Sequence, residues 1–164
     1  MPRFSFFKNA FALALIASIL ICELAGVVGS LFTVQAIPTW YAALAKPALN
    51  PPSWVFGPAW TILYTLMSVA AWRVYEKRRS RARVRHALTV YALQLALNVL
   101  WSLIFFGLHA PAVGLAVIAA LWTVILLTLI RFYHIDRLAA LLFVPYLAWV
   151  TFAMYLNFSV MILN

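Results

Sequence analysis

The chain has 164 residues, of which 67% are apolar and only 9% charged, and it carries a net charge of +9 at pH 7. So much apolar surface cannot be hidden in one water-soluble core of this length, so composition excludes a soluble domain and makes lipid the solvent. A single cysteine, Cys22, excludes an internal disulfide framework and a thiolate metal cluster.

Five apolar segments are long enough to cross a hydrocarbon core of about 30 Å, which takes roughly 20 helical residues. They cover about 11–35, 54–75, 87–108, 111–131 and 137–162. The expected fold class is an all-α integral membrane protein, a five-transmembrane-helix bundle with residues 1–164 forming a single membrane domain. Helices are required because lipid offers no partner to unpaired backbone groups, and the two-residue alternation of a membrane barrel is absent.

The first segment follows a short basic head, Arg3 and Lys8. Its apolar run exceeds a usual secretory signal core and no clear small-x-small cleavage site ends it, so it reads as a true span. Within it Gly26, Gly29 and Ser30 make a slim face, suited to close helix packing or to a wall against a flat ligand. Glu23 is the one carboxylate inside a span. It reads either as a functional mid-membrane acid or as a protonated structural carboxyl bonded to Asn98 or to a backbone carbonyl.

The connection at 36–53 is long enough to have a shape of its own and carries Pro38, Trp40, Tyr41, Pro47, Pro51 and Pro52. Prolines reduce its freedom before it docks, and aromatic rings give it something to dock with. A lid built on Trp40, Pro47, Pro51 and Trp54 is one reading; an aromatic belt at the interface is the other. The loop passes without a break into the second span, KPALNPPSWVFGPAWTILYTLM.

Eleven of the twelve basic residues fall at the N-terminus, in the 2–3 connection (Arg73, Lys77, Arg78, Arg79, Arg81, Arg83, Arg85) or in the 4–5 connection (Arg131, Arg137). Only Lys46 lies opposite. The positive-inside rule then expects a cytoplasmic N-terminus in a bacterial cell membrane. The basic run reads as topology signal and lipid headgroup contact, so no nucleic-acid partner is expected.

Inside the membrane the informative residues are those that lipid would not choose. Gln94, Asn98, Trp101 and Phe105 share one face of the third span, and Trp60, Tyr64, Met67 and Ala71 share one face of the second. Tyr146, Trp149, Ala153 and Asn157 do the same on the fifth. Amides and hydroxyls are costly against lipid, so the three stripes are expected to converge inside the bundle. Two readings are open: interhelical hydrogen bonding, or a cavity walled by indoles and amides. The fourth span repeats Ala112, Ala116 and Ala120, a face suited to helix association in a dimer.

Several chemistries are set aside. His86, His109 and His134 lie at helix ends and cannot clamp a haem iron between facing helices, and no metal site is expected. Glu76 and Asp136 sit in connections beside arginines, where solvated pairing accounts for them. There is no phosphate loop and no Ser-His-Asp spacing. A guest held by aromatic faces and a few amides would be large, flat and apolar.

KPALNPPSWVFGPAWTILYTLM, QLALNVLWSLIFFG and VPYLAWVTFAMYLN, in that order and on those spans, together resemble the translocator protein family, also called tryptophan-rich sensory proteins or peripheral-type benzodiazepine receptors. Gly29-Ser30 and Trp40-Tyr41 extend the likeness over nearly the whole chain. The resemblance implies a five-helix bundle, commonly a homodimer, that binds porphyrins such as protoporphyrin IX and isoquinoline carboxamides, with sterols added in animal members. It implies a pocket under the first connection, lined here by Trp60, Asn98, Trp101, Trp149, Ala153 and Asn157. No cofactor is required; a porphyrin would be the ligand. The chain departs from the animal sterol motif, reading Asn157-Phe158-Ser159 near its end, and carries Leu31 where the family often has Arg.

Two function classes follow. One is a porphyrin-binding membrane protein acting in tetrapyrrole sensing, transport or stress response, with Trp60, Tyr64, Gln94, Asn98, Trp101, Phe105, Tyr146, Trp149, Ala153 and Asn157 as candidate ligand-binding residues. The other is an enzyme that degrades porphyrin with light and oxygen, using Trp60 and Trp149, as the resemblance implies for some bacterial relatives. A coupled transporter would want repeated architecture and ion-coupling residues, and five spans with one acid offer neither.

Overall fold

The computed structural model describes residues 2–77 and 81–164, with side chains from residue 12 onward. Arg78 and Arg79, and the side chains of Arg3 and Lys8, lie outside the described residues. Six α-helices follow in order: α1 (Pro2–Ala36), α2 (Trp40–Ala43), α3 (Phe56–Glu76), α4 (Arg81–Ser102), α5 (Pro111–Tyr133) and α6 (Arg137–Leu163). All but the single-turn α2 are long and apolar enough to span a bilayer, with α1 doing so over Ala12–Ala36. There is no strand among the described residues.

The five spans stand where the apolar runs place them, and their ends shift for local reasons. The second starts in a 3-10 turn at Ser53–Val55, because Pro52 removes a donor and the next turn is still tightening into α3. The third reaches back to Arg81, since Arg and Ala are strong helix formers that carry the helix beyond the hydrocarbon. Pro111 occupies the first turn of α5, where its missing N–H would have no partner anyway. Pro145 lies inside α6 with its ring exposed.

The helices close into a ring in the order α1, α3, α6, α5, α4, and α4 returns to α1. Lipid tails are as apolar as Leu, so the ring is held by close packing and buried hydrogen bonds rather than by escape from water. One end is solid. Tyr91, Phe132 and Phe143 pack with ring centroids 5.2 to 6.0 Å apart, and Ile118, Leu121 and Ile125 on α5 are almost wholly buried.

Asp136 ties this end together. Its side chain caps α6 by accepting from the N–H groups of Leu138 and Ala139, and it pairs with Arg73 at 2.9 Å and Lys77 at 3.4 Å at the end of α3. The expectation of solvated pairing is therefore corrected: only 4% of its side chain is exposed. Burial alone would raise the carboxyl, but the Ala139 N–H, the Arg73 guanidinium and the Lys77 ammonium outweigh it and hold Asp136 below the ordinary value.

Candidate functional site

The other end of the bundle is hollow. A cavity of about 470 Å³ lies between α1, α3, α4 and α6, beneath the first connection. That size falls within the range of small-molecule sites, and its walls are aromatic and small.

Glycines on α1 let the neighbouring helices approach it closely at the cavity wall. A Cβ on Gly26 would meet the Tyr64 ring at 2.6 Å, so only glycine lets α3 bring that ring against α1. Gly29 faces Ser102 of α4 in the same way, at 3.3 Å. On the opposite wall Trp60 stacks on Tyr64 with centroids 5.5 Å apart and meets Trp149 edge-on at 6.4 Å. Phe56 closes on Trp149 at 6.2 Å.

Behind this wall runs a polar scaffold. The Tyr64 hydroxyl donates to Asn98 Oδ1 at 2.6 Å, and Asn98 Nδ2 donates to the Tyr146 hydroxyl at 3.1 Å, so one amide joins α3, α4 and α6. Trp101 Nε1 donates to Asn157 Oδ1 at 3.0 Å, and Asn157 Nδ2 donates to the Pro111 carbonyl at 2.7 Å, joining α4, α6 and the start of α5. The choice between interhelical bonding and cavity is thus resolved by division of labour. Asn157 serves as scaffold; Asn98 serves as scaffold and also reaches the cavity wall.

Of the residues named from sequence, Trp54, Trp60, Tyr64, Asn98, Trp101, Trp149 and Ala153 line the cavity. Tyr146, Asn157, Gln94 and Phe105 are buried behind it. Gln94 Nε2 faces Met67 Sδ at 3.9 Å, and its Oε1 has no partner among the described residues. Phe105 stacks on Trp101 at 5.5 Å, and Phe106 takes its place on the wall. The cause is local: α4 ends in a π turn at Leu103–Gly107, where the Leu108 N–H reaches the Leu103 carbonyl at 2.9 Å. One extra residue in that turn rotates everything after it, and regular helical spacing carries no sign of it.

The first connection docks over the end of the bundle. Tyr41 is buried among Phe56, Phe105 and Phe106 and donates to Asn50 Oδ1 at 2.6 Å; burial pushes its phenol up to about 12. Trp40 stacks on His109 at 4.4 Å and meets Phe105 edge-on. Ala45 exchanges two hydrogen bonds with the Asn164 side chain. Trp40, Pro47 and Pro51 shape the loop without lining the cavity, whereas Ser53, Trp54 and Ile37 form its rim.

Glu23 lines the cavity too, and its partner is neither of the two expected, Asn98 or a backbone carbonyl: the Thr65 hydroxyl donates to its Oε1 at 3.2 Å. Sequence reasoning did not single out Phe56, Phe106 and Ser102. No metal-ligand cluster is present among the described residues.

A family model described as "TspO/MBR family" matches residues 18–163. The chain is 44% identical over 153 residues to the "Tryptophan-rich protein TspO" of Archaeoglobus fulgidus, covering 93% of this chain and 97% of that one. It is 49% identical over 125 residues to the "Tryptophan-rich sensory protein" of Cereibacter sphaeroides, covering 76% and 77%. It is 37% identical over 134 residues to the "Translocator protein" of Homo sapiens, covering 81% and 79%.

Proposed function

The chain belongs to the TspO/MBR family of integral membrane proteins, and from that footing we propose that it binds porphyrins such as protoporphyrin IX, and similar flat apolar molecules, in the cavity. Its role would be tetrapyrrole sensing, transport or stress response, without a resident cofactor. The observation that carries this reading is the cavity itself: about 470 Å³ walled by Trp60, Tyr64, Trp101 and Trp149. Aromatic faces stack on a flat π-system from either side. The indole N–H groups of Trp101 and Trp122 are hydrogen-bonded, whereas those of Trp60 and Trp149 have no partner among the described residues and are free for a ligand acceptor.

The same two indoles support a second reading, in which light and molecular oxygen oxidise the bound porphyrin. One titration separates the two. Purified protein is titrated with protoporphyrin IX while tryptophan fluorescence is followed, in the dark and under illumination. Saturable quenching with an unchanged porphyrin spectrum in the light is the binder's result; a bleached porphyrin is the enzyme's. Absence of saturable quenching removes both. Trp149→Phe should weaken photochemistry more than binding if the indole takes part in redox, and both equally if it is only a wall.

Membrane lipids surround the bundle, and we place the N-terminus on the cytoplasmic side of a bacterial cell membrane. Arg73, Lys77, Arg81, Arg83 and Arg85 gather where α3 ends and α4 begins, as the positive-inside rule would have it. We also place a homodimer face on α5, where Ala112, Ala116 and Ala120 are all exposed on the outer surface.

A further inference from the structure

The cavity is polarised along its length, and one residue accounts for the polarity. On α1 its lining runs from Ile37, at the loop, to Glu23, a distance of about 21 Å at 1.5 Å per residue. On the antiparallel α3 it runs from Ser53 at the loop to Tyr64. The Thr65 contact agrees with this placement, with Glu23 at the end of the lining farthest from the loop. Every other lining residue is aromatic, aliphatic, glycine or a neutral hydroxyl or amide, so Glu23 is the one ionisable acid in the cavity and no basic residue there offsets it.

The hydroxyls that line the cavity or border Glu23 leave its carboxyl with acceptor capacity to spare. Thr65 has one O–H to give, and its oxygen lies 2.9 Å from the Thr61 carbonyl as well as 3.2 Å from Glu23. Ser30 and Thr33 are turned onto backbone carbonyls of their own helix. The Tyr64 proton is committed to Asn98. Glu23 therefore keeps acceptor capacity facing the cavity, while the unpartnered donors, the Trp60 and Trp149 indoles, belong to the opposite wall.

We propose that Glu23 is a specificity-determining residue that fixes which edge of a flat ligand enters first. An edge bearing N–H or ammonium groups is accepted at the Glu23 end, and an edge bearing a carboxylate is turned away by like charge in a medium that screens it little. This deepens the porphyrin reading and rests on it for the identity of the guest. Protoporphyrin IX carries both propionates on one edge and can keep them toward the loop. Coproporphyrin I carries one propionate on each of its four edges and must present one to Glu23 in any orientation.

The test compares the wild-type protein with Glu23→Gln, which keeps size and hydrogen bonding but removes the charge. Binding is measured by tryptophan quenching with protoporphyrin IX, coproporphyrin I, and the flat pair 9-aminoacridine and acridine-9-carboxylate. Glu23→Gln should tighten coproporphyrin I binding by about tenfold and leave protoporphyrin IX within about twofold. It should also erase a wild-type preference for the acridine amine over the carboxylate. Glu23→Asp, which retains the charge, should keep the wild-type ranking. Equal ratios in wild type and Glu23→Gln overturn the proposal. If no porphyrin binds, the porphyrin reading fails by itself, and the acridine pair still decides the role of Glu23. Thermal melting of each variant checks that the fold is retained.

Discussion

Asn98 shows how much one amide can carry where water is absent. It accepts from Tyr64 and donates to Tyr146, and only 2% of its surface is exposed. Asn98→Leu would leave two buried hydroxyls without partners, and interhelical bonds of this kind are worth about 0.6 to 1.7 kcal/mol each. The expected outcome is a destabilisation of about 1–3 kcal/mol, read as a lower melting temperature in detergent. Gly26 is the steric counterpart. Gly26→Ala pushes the Tyr64 ring outward, because the new methyl would stand 2.6 Å from it, and Tyr64 is both cavity wall and partner to Asn98. Ligand affinity measured by quenching should fall about tenfold, the size expected when a wall atom must give way by a large part of its radius. Asn98 and Gly26 were both legible as special in the sequence, one as a polar residue in a span and the other as a small one. What they touch was not.

At the scale of elements, Asp136 links the start of α6 to the end of α3. Its carboxyl is held below the ordinary aspartate value near 3.9, so its contribution is present above that pH and is lost as pH falls through the lowered native value. Asp136→Asn should cost about 1–2 kcal/mol at neutral pH. It should also flatten the acid side of a plot of melting temperature against pH. A melting curve equally steep in acid for both proteins would assign the acid limb to another group. The loop behaves as an element in the same sense. Tyr41→Phe removes the donor to Asn50 while keeping the ring among Phe56, Phe105 and Phe106, so hydrogen exchange across 44–52 should rise severalfold with the bundle unchanged. The π turn at Leu103–Gly107 belongs to this scale too. It exchanges Phe105 for Phe106 at the cavity, and no pattern of residue types in LIFFG announces an extra residue in a turn.

Over the whole molecule, the contrast is between a packed end and an open one. The Asp136 end is filled by stacked rings and an ion-paired cap; the loop end holds a cavity lined by one acid and rimmed by Trp54, which is 74% exposed. The sequence by itself determined the solvent, the five spans and the three faces that turn inward, because the cost of polar and charged groups in lipid depends on residue type and helical spacing alone. Only the tertiary structure decided which inward residues face the cavity and which meet each other. Asn157, Gln94, Phe105 and Tyr146 lie on the expected faces, yet pairing with neighbouring helices and one π turn bury them behind the wall. Glu23 is turned toward Thr65 and the cavity for the same reason: spacing along one helix specifies a face, and the partner on the next helix is set by how the two are packed.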